Sequence, residues 1–99
     1  MKLAVFLLAA VLPTVAYPDS ISRQGPDWVH FKETPCTNEV ILARPEVGDK
    51  QQMWEARAYF GGKFYDACWQ NMGSARHILY DDGDQGIILQ HELRPYLGT

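Results

Sequence analysis

The sequence predicts a mainly β protein: a small antiparallel β-barrel of short strands, preceded by a short N-terminal helix. Three observations point there. From Trp54 to Phe60, apolar and polar residues alternate with a period of two, the mark of a half-buried strand. Turn sequences rich in Gly, Asn and Asp separate it from the runs that follow. The runs are short and closely spaced, as in a meander that curls on itself.

Residues 1–16 read as a segment apart. Lys2 precedes the unbroken apolar run Leu3 to Leu12, then Pro13 and the small residues Thr14-Val15-Ala16. A basic start, a short apolar stretch and a small-residue site make a secretory signal peptide, with cleavage expected near Ala16. The run falls short of the roughly 17 to 25 residues that span a bilayer, so no stable membrane insertion is expected after cleavage. The expected location is secreted or periplasmic.

Residues 17–53 read as an N-terminal arm with a short helix. Tyr17 to Gln24 is polar and is expected to be loose. Trp28, Val29 and Phe31 suit a short extended segment. Thr34-Pro35 has the form of a helix start, with Thr34 as N-cap and Pro35 in the first turn. That helix would run through Val40, Ile41 and Leu42 and stop before Pro45. Glu46 to Gln52 has room for one helical turn.

Residues 54–99 read as the barrel. Trp54, Ala56, Ala58 and Phe60 alternate with Glu55, Arg57 and Tyr59 to give the first strand. Gly61-Gly62 supplies the positive φ angles of a tight hairpin turn. Lys63 to Gln70 is the second strand, Asn71 to Ser74 a turn, and Ala75 to Tyr80 the third strand. Asp81 to Asp84 is another turn, Gly86 to Leu89 the fourth strand, Gln90 to Leu93 a 3₁₀ turn, and Pro95-Tyr96-Leu97 a last short strand.

Two cysteines, Cys36 and Cys68, are present. An even count in a short exported chain reads as a disulfide, and two cysteines allow one intrachain connectivity. Closing a loop of that length stabilises a fold by about 3 to 4 kcal/mol in the chain-entropy model. The bond would tie the arm to the second barrel strand.

Charge and spacing exclude several functions. Without Lys2 the chain carries twelve acidic and eight basic side chains, a net charge of −4 with His neutral. The basic residues form no run, so a nucleic-acid partner is not expected. His30, His77 and His91 lie far apart, and no zinc-type ligand spacing occurs. Asp81-Asp82-Gly83-Asp84 lacks the full loop and closing Glu of a calcium site, so a turn role is expected and no metal or other cofactor is assigned. Ser20, Ser22 and Ser74 sit in no nucleophile elbow. Asp66 is the one carboxylate considered as an acid or base, beside an aromatic strand. No catalytic constellation emerges, and a non-enzymatic monomer is expected.

The stretch Trp54 to Pro95 resembles a Tudor-type domain of the SH3-like barrel superfamily. The resemblance is carried by Ala56, Gly61-Gly62, Phe64-Tyr65-Asp66-Ala67, Tyr80-Asp81-Asp82-Gly83-Asp84, Ile87-Ile88-Leu89 and Leu93-Arg94-Pro95. It implies an SH3-like fold and an aromatic cage for a cationic group. Tyr65 and Tyr80 match cage positions; Ala58 and Gly83 stand where the pattern offers further aromatics. The alternative is that Tyr65 and Tyr80 are cross-strand packing. The expected ligand-binding face is therefore Tyr59, Phe60, Tyr65 and Tyr80 with an acidic rim of Asp82 and Asp84. The function that follows is an exported binding module for a peptide, protein or cell-wall ligand. The alternative is a secreted or periplasmic inhibitor or effector of an enzyme.

Overall fold

A computed structural model describes residues 19–96. The expected signal peptide, and Leu97 of the expected last strand, lie outside the described residues. The chain forms one antiparallel sheet of seven strands that curls into a half-barrel, in the order β6-β5-β4-β3-β2-β1-β7. The strands are β1 (Ser20–Gln24), β2 (Asp27–Pro35), β3 (Trp54–Phe60), β4 (Lys63–Met72), β5 (Ala75–Tyr80), β6 (Gln85–Leu89) and β7 (Arg94–Pro95). The order is a meander except at its end, where β7 crosses to pair with β1.

The turns follow from residue chemistry. Gly61 and Gly62 take φ of 56° and 83°, which is the two-residue turn that matches strand twist. β3 and β4 therefore pair in full register from Trp54↔Trp69 to Phe60↔Lys63.

The expectation of a loose arm before Gly25 is corrected. Ser20–Gln24 is β1, paired with β2 from Ser20↔Phe31 to Gln24↔Asp27. Gly25, at φ 61°, and Pro26 make the hairpin. The strand was hidden because Ile21 is its only apolar residue; neighbouring strands on both sides bury it, not its own hydrophobicity.

The helix start is corrected too. Thr34 and Pro35 end β2, with Pro35 opposite Trp54. Among the described residues, α-helix is limited to one turn, α1 (Glu39–Leu42), whose N-cap is Asn38: its side chain accepts a hydrogen bond from the Ile41 amide. A 3₁₀ turn follows at Lys50–Gln52, capped by Asp49. The strand pairing runs across the expected division at 53/54, since β2 pairs with β3.

The curled sheet has two faces and two cores. Val29, Phe31, Ala56, Ala58, Ala67, Trp69, Ile78 and Tyr80 fill the inner, concave face. Cys36, Ile41, Met53, Cys68 and Leu79 form a second cluster on the outer face, beneath the segment that links β2 to β3. The Cys36–Cys68 disulfide, with Cα atoms 5.8 Å apart, fastens that segment to β4. It is consistent with an oxidising compartment. Among the described residues, no helix is long and apolar enough to cross a membrane.

Candidate aromatic and acidic binding site

Phe60 closes β3, Tyr65 lies on β4, and Tyr80 ends β5. All three point to the inner face: Phe60 sits two residues from buried Ala58, Tyr65 two from buried Ala67, and Tyr80 two from buried Ile78. Ala58 faces Tyr65 across the strands and Ala67 faces Tyr80, so small residues leave space beside each ring. The three rings meet at one end of the half-barrel, with centroids 5.9 to 6.4 Å apart. Phe60 and Tyr65 each lean edge-on to Tyr80, at 74°.

Phe60, Tyr65 and Tyr80, with Asp82 and Asp84, line one cavity of about 230 Å³. Five of the six residues expected at the site thus come together. Tyr80 forms the floor at 9% exposure, while Phe60 and Tyr65 are half-buried and reachable. The carboxylates are exposed at the rim.

Tyr59 is the exception and is corrected. It stands next to Phe60 in sequence, and adjacent strand residues point to opposite faces. On the outer face Tyr59 stacks on Trp28 (6.0 Å, 17°) and leans on Phe64 (5.0 Å), and the Arg57 guanidinium lies 5.1 Å from the Phe64 ring centre. Phe64 is 59% exposed. This second aromatic cluster was missed in the sequence, although register places Trp28 opposite Tyr59 and Tyr59 opposite Phe64. Of the other tryptophans, Trp69 is in the inner core and Trp54 packs against it.

The acidic turn is built by its own side chains. Asp82 Oδ1 accepts from the Asp84 amide and Asp84 Oδ1 from the Gln85 amide, each at 2.9 Å. Gly83 provides the positive φ, 98°. From the outer side, Arg44 Nη1 donates to the carbonyls of Tyr80 and Asp84 at 3.0 and 3.1 Å. Glu46 holds the same guanidinium through two further bonds, and those bonds keep the Glu46 carboxyl below the usual range. Burial, then the negative charges of Asp84 and Asp82, pushes the Tyr80 hydroxyl up to about 12, so it stays protonated. Among the described residues, two carboxylates and no Lys, Arg or His line the cavity.

The remaining candidates have structural partners. His77 Nδ1 lies 3.1 Å from the Gln70 side-chain nitrogen and its Nε2 2.6 Å from Gln85 Oε1, so both ring nitrogens have hydrogen-bond partners. His30 bonds Asp19 at 3.0 Å and stacks on Tyr96 at 3.9 Å. Asp66 is exposed on the outer face opposite Arg57, and its carbonyl accepts from the Asp81 amide. Ser22 is buried in β1. Arg76 is 8% exposed, with its guanidinium 4.1 Å from the Trp69 ring centre, and its Nε and Nη1 have no hydrogen-bond partner. Burial lowers its pKa.

No protein-family model, curated protein or solved structure matches this chain.

Proposed function

We infer that this protein is an exported, non-enzymatic binding module whose aromatic pocket takes a cationic group of a peptide, protein or cell-wall ligand. The observation that carries the reading is the convergence of Phe60, Tyr65 and Tyr80 with Asp82 and Asp84 around one cavity. Aromatic faces attract cations by about 0.5 to 2 kcal/mol, more when water is excluded. The two rim carboxylates add attraction and steer approach. Tyr80 stays neutral, so it adds no charge of its own to the cavity. The likeness of Trp54–Pro95 to the Tudor-type pattern supports the same reading, with Phe60 supplying a third wall that the pattern places elsewhere. The disulfide supports export.

The test uses two probes, tetramethylammonium and lysine methylamide, followed through the ring protons by NMR. Both should shift Phe60, Tyr65 and Tyr80 saturably, and folded Tyr65→Ala should lose the effect. Equal shifts in wild type and Tyr65→Ala would place any cation site elsewhere. A second reading, an inhibitor or effector of a secreted enzyme, is favoured by the Trp28–Tyr59–Phe64 cluster on the outer face, where Phe64 is exposed and the other two are half-buried. Pull-down from medium or envelope fractions with Phe64→Ala as control separates it from the first.

A further inference from the structure

The half-barrel has a seam. β6 pairs with β5 alone, so among the described residues its other edge has no strand partner. β1 is covered by β7 only at Ser20 and Ile21, so Ser22 to Gln24 pair with β2 alone. A cavity of about 200 Å³ joins these two incomplete edges, flanked by Ser22 and Gln24 on one side and Gly86 to Ile88 on the other. It shares Phe60 and Tyr80 with the aromatic pocket, so seam and pocket are continuous.

We propose that the seam binds an extended peptide bearing a basic side chain, which adds as a strand to the edge of β6 and places that side chain in the Phe60–Tyr65–Tyr80 pocket. The proposal rests on the cationic-pocket reading and adds the form of the ligand to it. Edge strands are ordinarily blunted by Lys, Pro or a bulge, because a bare edge templates pairing. β6 reads Gln-Gly-Ile-Ile-Leu and carries none of these. Gly86 lies beside the Tyr80 ring, where a Cβ would sit 3.7 Å from it, so the strand edge meets the pocket with no side chain between.

Charge selects the occupant. Asp27, Asp82 and Asp84 line the seam and pocket, and no Lys, Arg or His does. Arg44, the nearest cation to the acidic turn, is held by Glu46 and by main-chain carbonyls. The outer side of β6 fits as well. Ile87 is 57% and Leu89 43% exposed there, and an added strand would lay its outward side chains against them. The ligand pattern is thus a basic residue facing inward between apolar residues facing outward, the alternation of a strand.

The experiment titrates the disulfide-bonded protein with acetyl-Thr-Val-Lys-Val-Thr-amide and follows backbone amides by NMR and hydrogen exchange. Binding should slow exchange in β6 and shift Tyr65 and Tyr80. N-methylating one alternate set of peptide amides should weaken binding at least about tenfold, by removing ladder bonds. Exchanging Lys for norleucine should weaken it about as much. Equal affinity of the parent and both N-methylated sets overturns strand addition. If lysine methylamide still shifts the three rings, the pocket reading survives that failure; if it does not, both fall. A peptide that fails to bind at millimolar concentration also overturns the proposal. So does a concentration-dependent dimer with β6 amides protected before peptide is added, which assigns the edge to a second copy.

Discussion

The inner and outer faces of the same curled sheet are finished in different ways. The outer cluster of Ile41, Met53 and Leu79 is roofed by the segment between β2 and β3, and none of the three exceeds 1% exposure. Its roof contains one helical turn of four residues, too short to hold itself in place. A disulfide and the Arg44 bonds to the acidic turn hold it instead. The inner face is covered by the curl of the sheet, with Leu93 packed against its core. Its core grades from fully buried Phe31 and Ile78 to half-buried Phe60 and Tyr65 at an open end. Cross-linking closes one face, and that leaves the other free to keep a cavity.

The largest effect should come from the staple. Replacing Cys36 and Cys68 together by Ser should remove about 3 to 4 kcal/mol of stability. At about 4 to 8 °C per kcal/mol for a domain of this size, calorimetry should show a Tm at least 10 °C lower. Hydrogen exchange should rise first around Met53 and Leu79. An unchanged Tm would mean that the roof holds without its cross-link.

Truncation on each face gives the next contrast. Ile41→Ala should cost about 2 to 5 kcal/mol, as expected for a fully buried aliphatic residue. Tyr65→Ala, at the open end, should cost less than about 1.5 kcal/mol by denaturant titration. Equal costs would make the aromatic pocket an ordinary part of the core.

Arg76 offers a smaller test of the inner face. Its stacking on Trp69 and Phe31 contributes about 0.5 to 2 kcal/mol, set against two unpartnered nitrogens that cost about 1 to 3 each. Arg76→Met should therefore raise stability, by about 1 kcal/mol in urea titration. A marked loss would show that the guanidinium is better satisfied than its neighbours suggest.

The last effect appears only at high pH. Tyr80 ionises near 12 when folded, against about 10 for an unfolded tyrosine. Between those values the unfolded chain has released a proton that the folded chain retains, so stability is full below pH 10 and declines toward pH 12. Tyr80→Phe should flatten that decline in denaturant titrations. Absorbance titration of the wild type should show one tyrosine lagging the rest.

How much was legible follows from the same two faces. β3 could be read because it alternates, and β4 to β6 because each is bounded by a turn such as Gly61-Gly62 or Asp82-Gly83. β1 could not, because Ser22 and Gln24 face the inner cavity with no apolar signal of their own. Thr34-Pro35 has the chemistry of a helix start, and only pairing with β3 reveals a strand end there. Most of the pocket was visible as aromatic residues near acidic ones. Tyr59 was misplaced because nearness along a strand is not nearness in space. The seam was invisible, since a missing neighbour is a property of topology and leaves no mark in composition.

The disulfide also governs how the protein responds to force. Asp19 and Tyr96 lie side by side, with the Tyr96 amide bonded to the Asp19 carbonyl at 2.9 Å. Tension applied there meets the two-residue β1–β7 ladder first and loads its bonds one after another, as in a zipper. Beyond that point the chain lengthens only as far as the cross-link allows. The sequence separation of 32 between Cys36 and Cys68 withholds roughly 110 Å of extended chain until the bond is reduced. An oxidised molecule under load is thus a short tether, and a reduced one a longer tether.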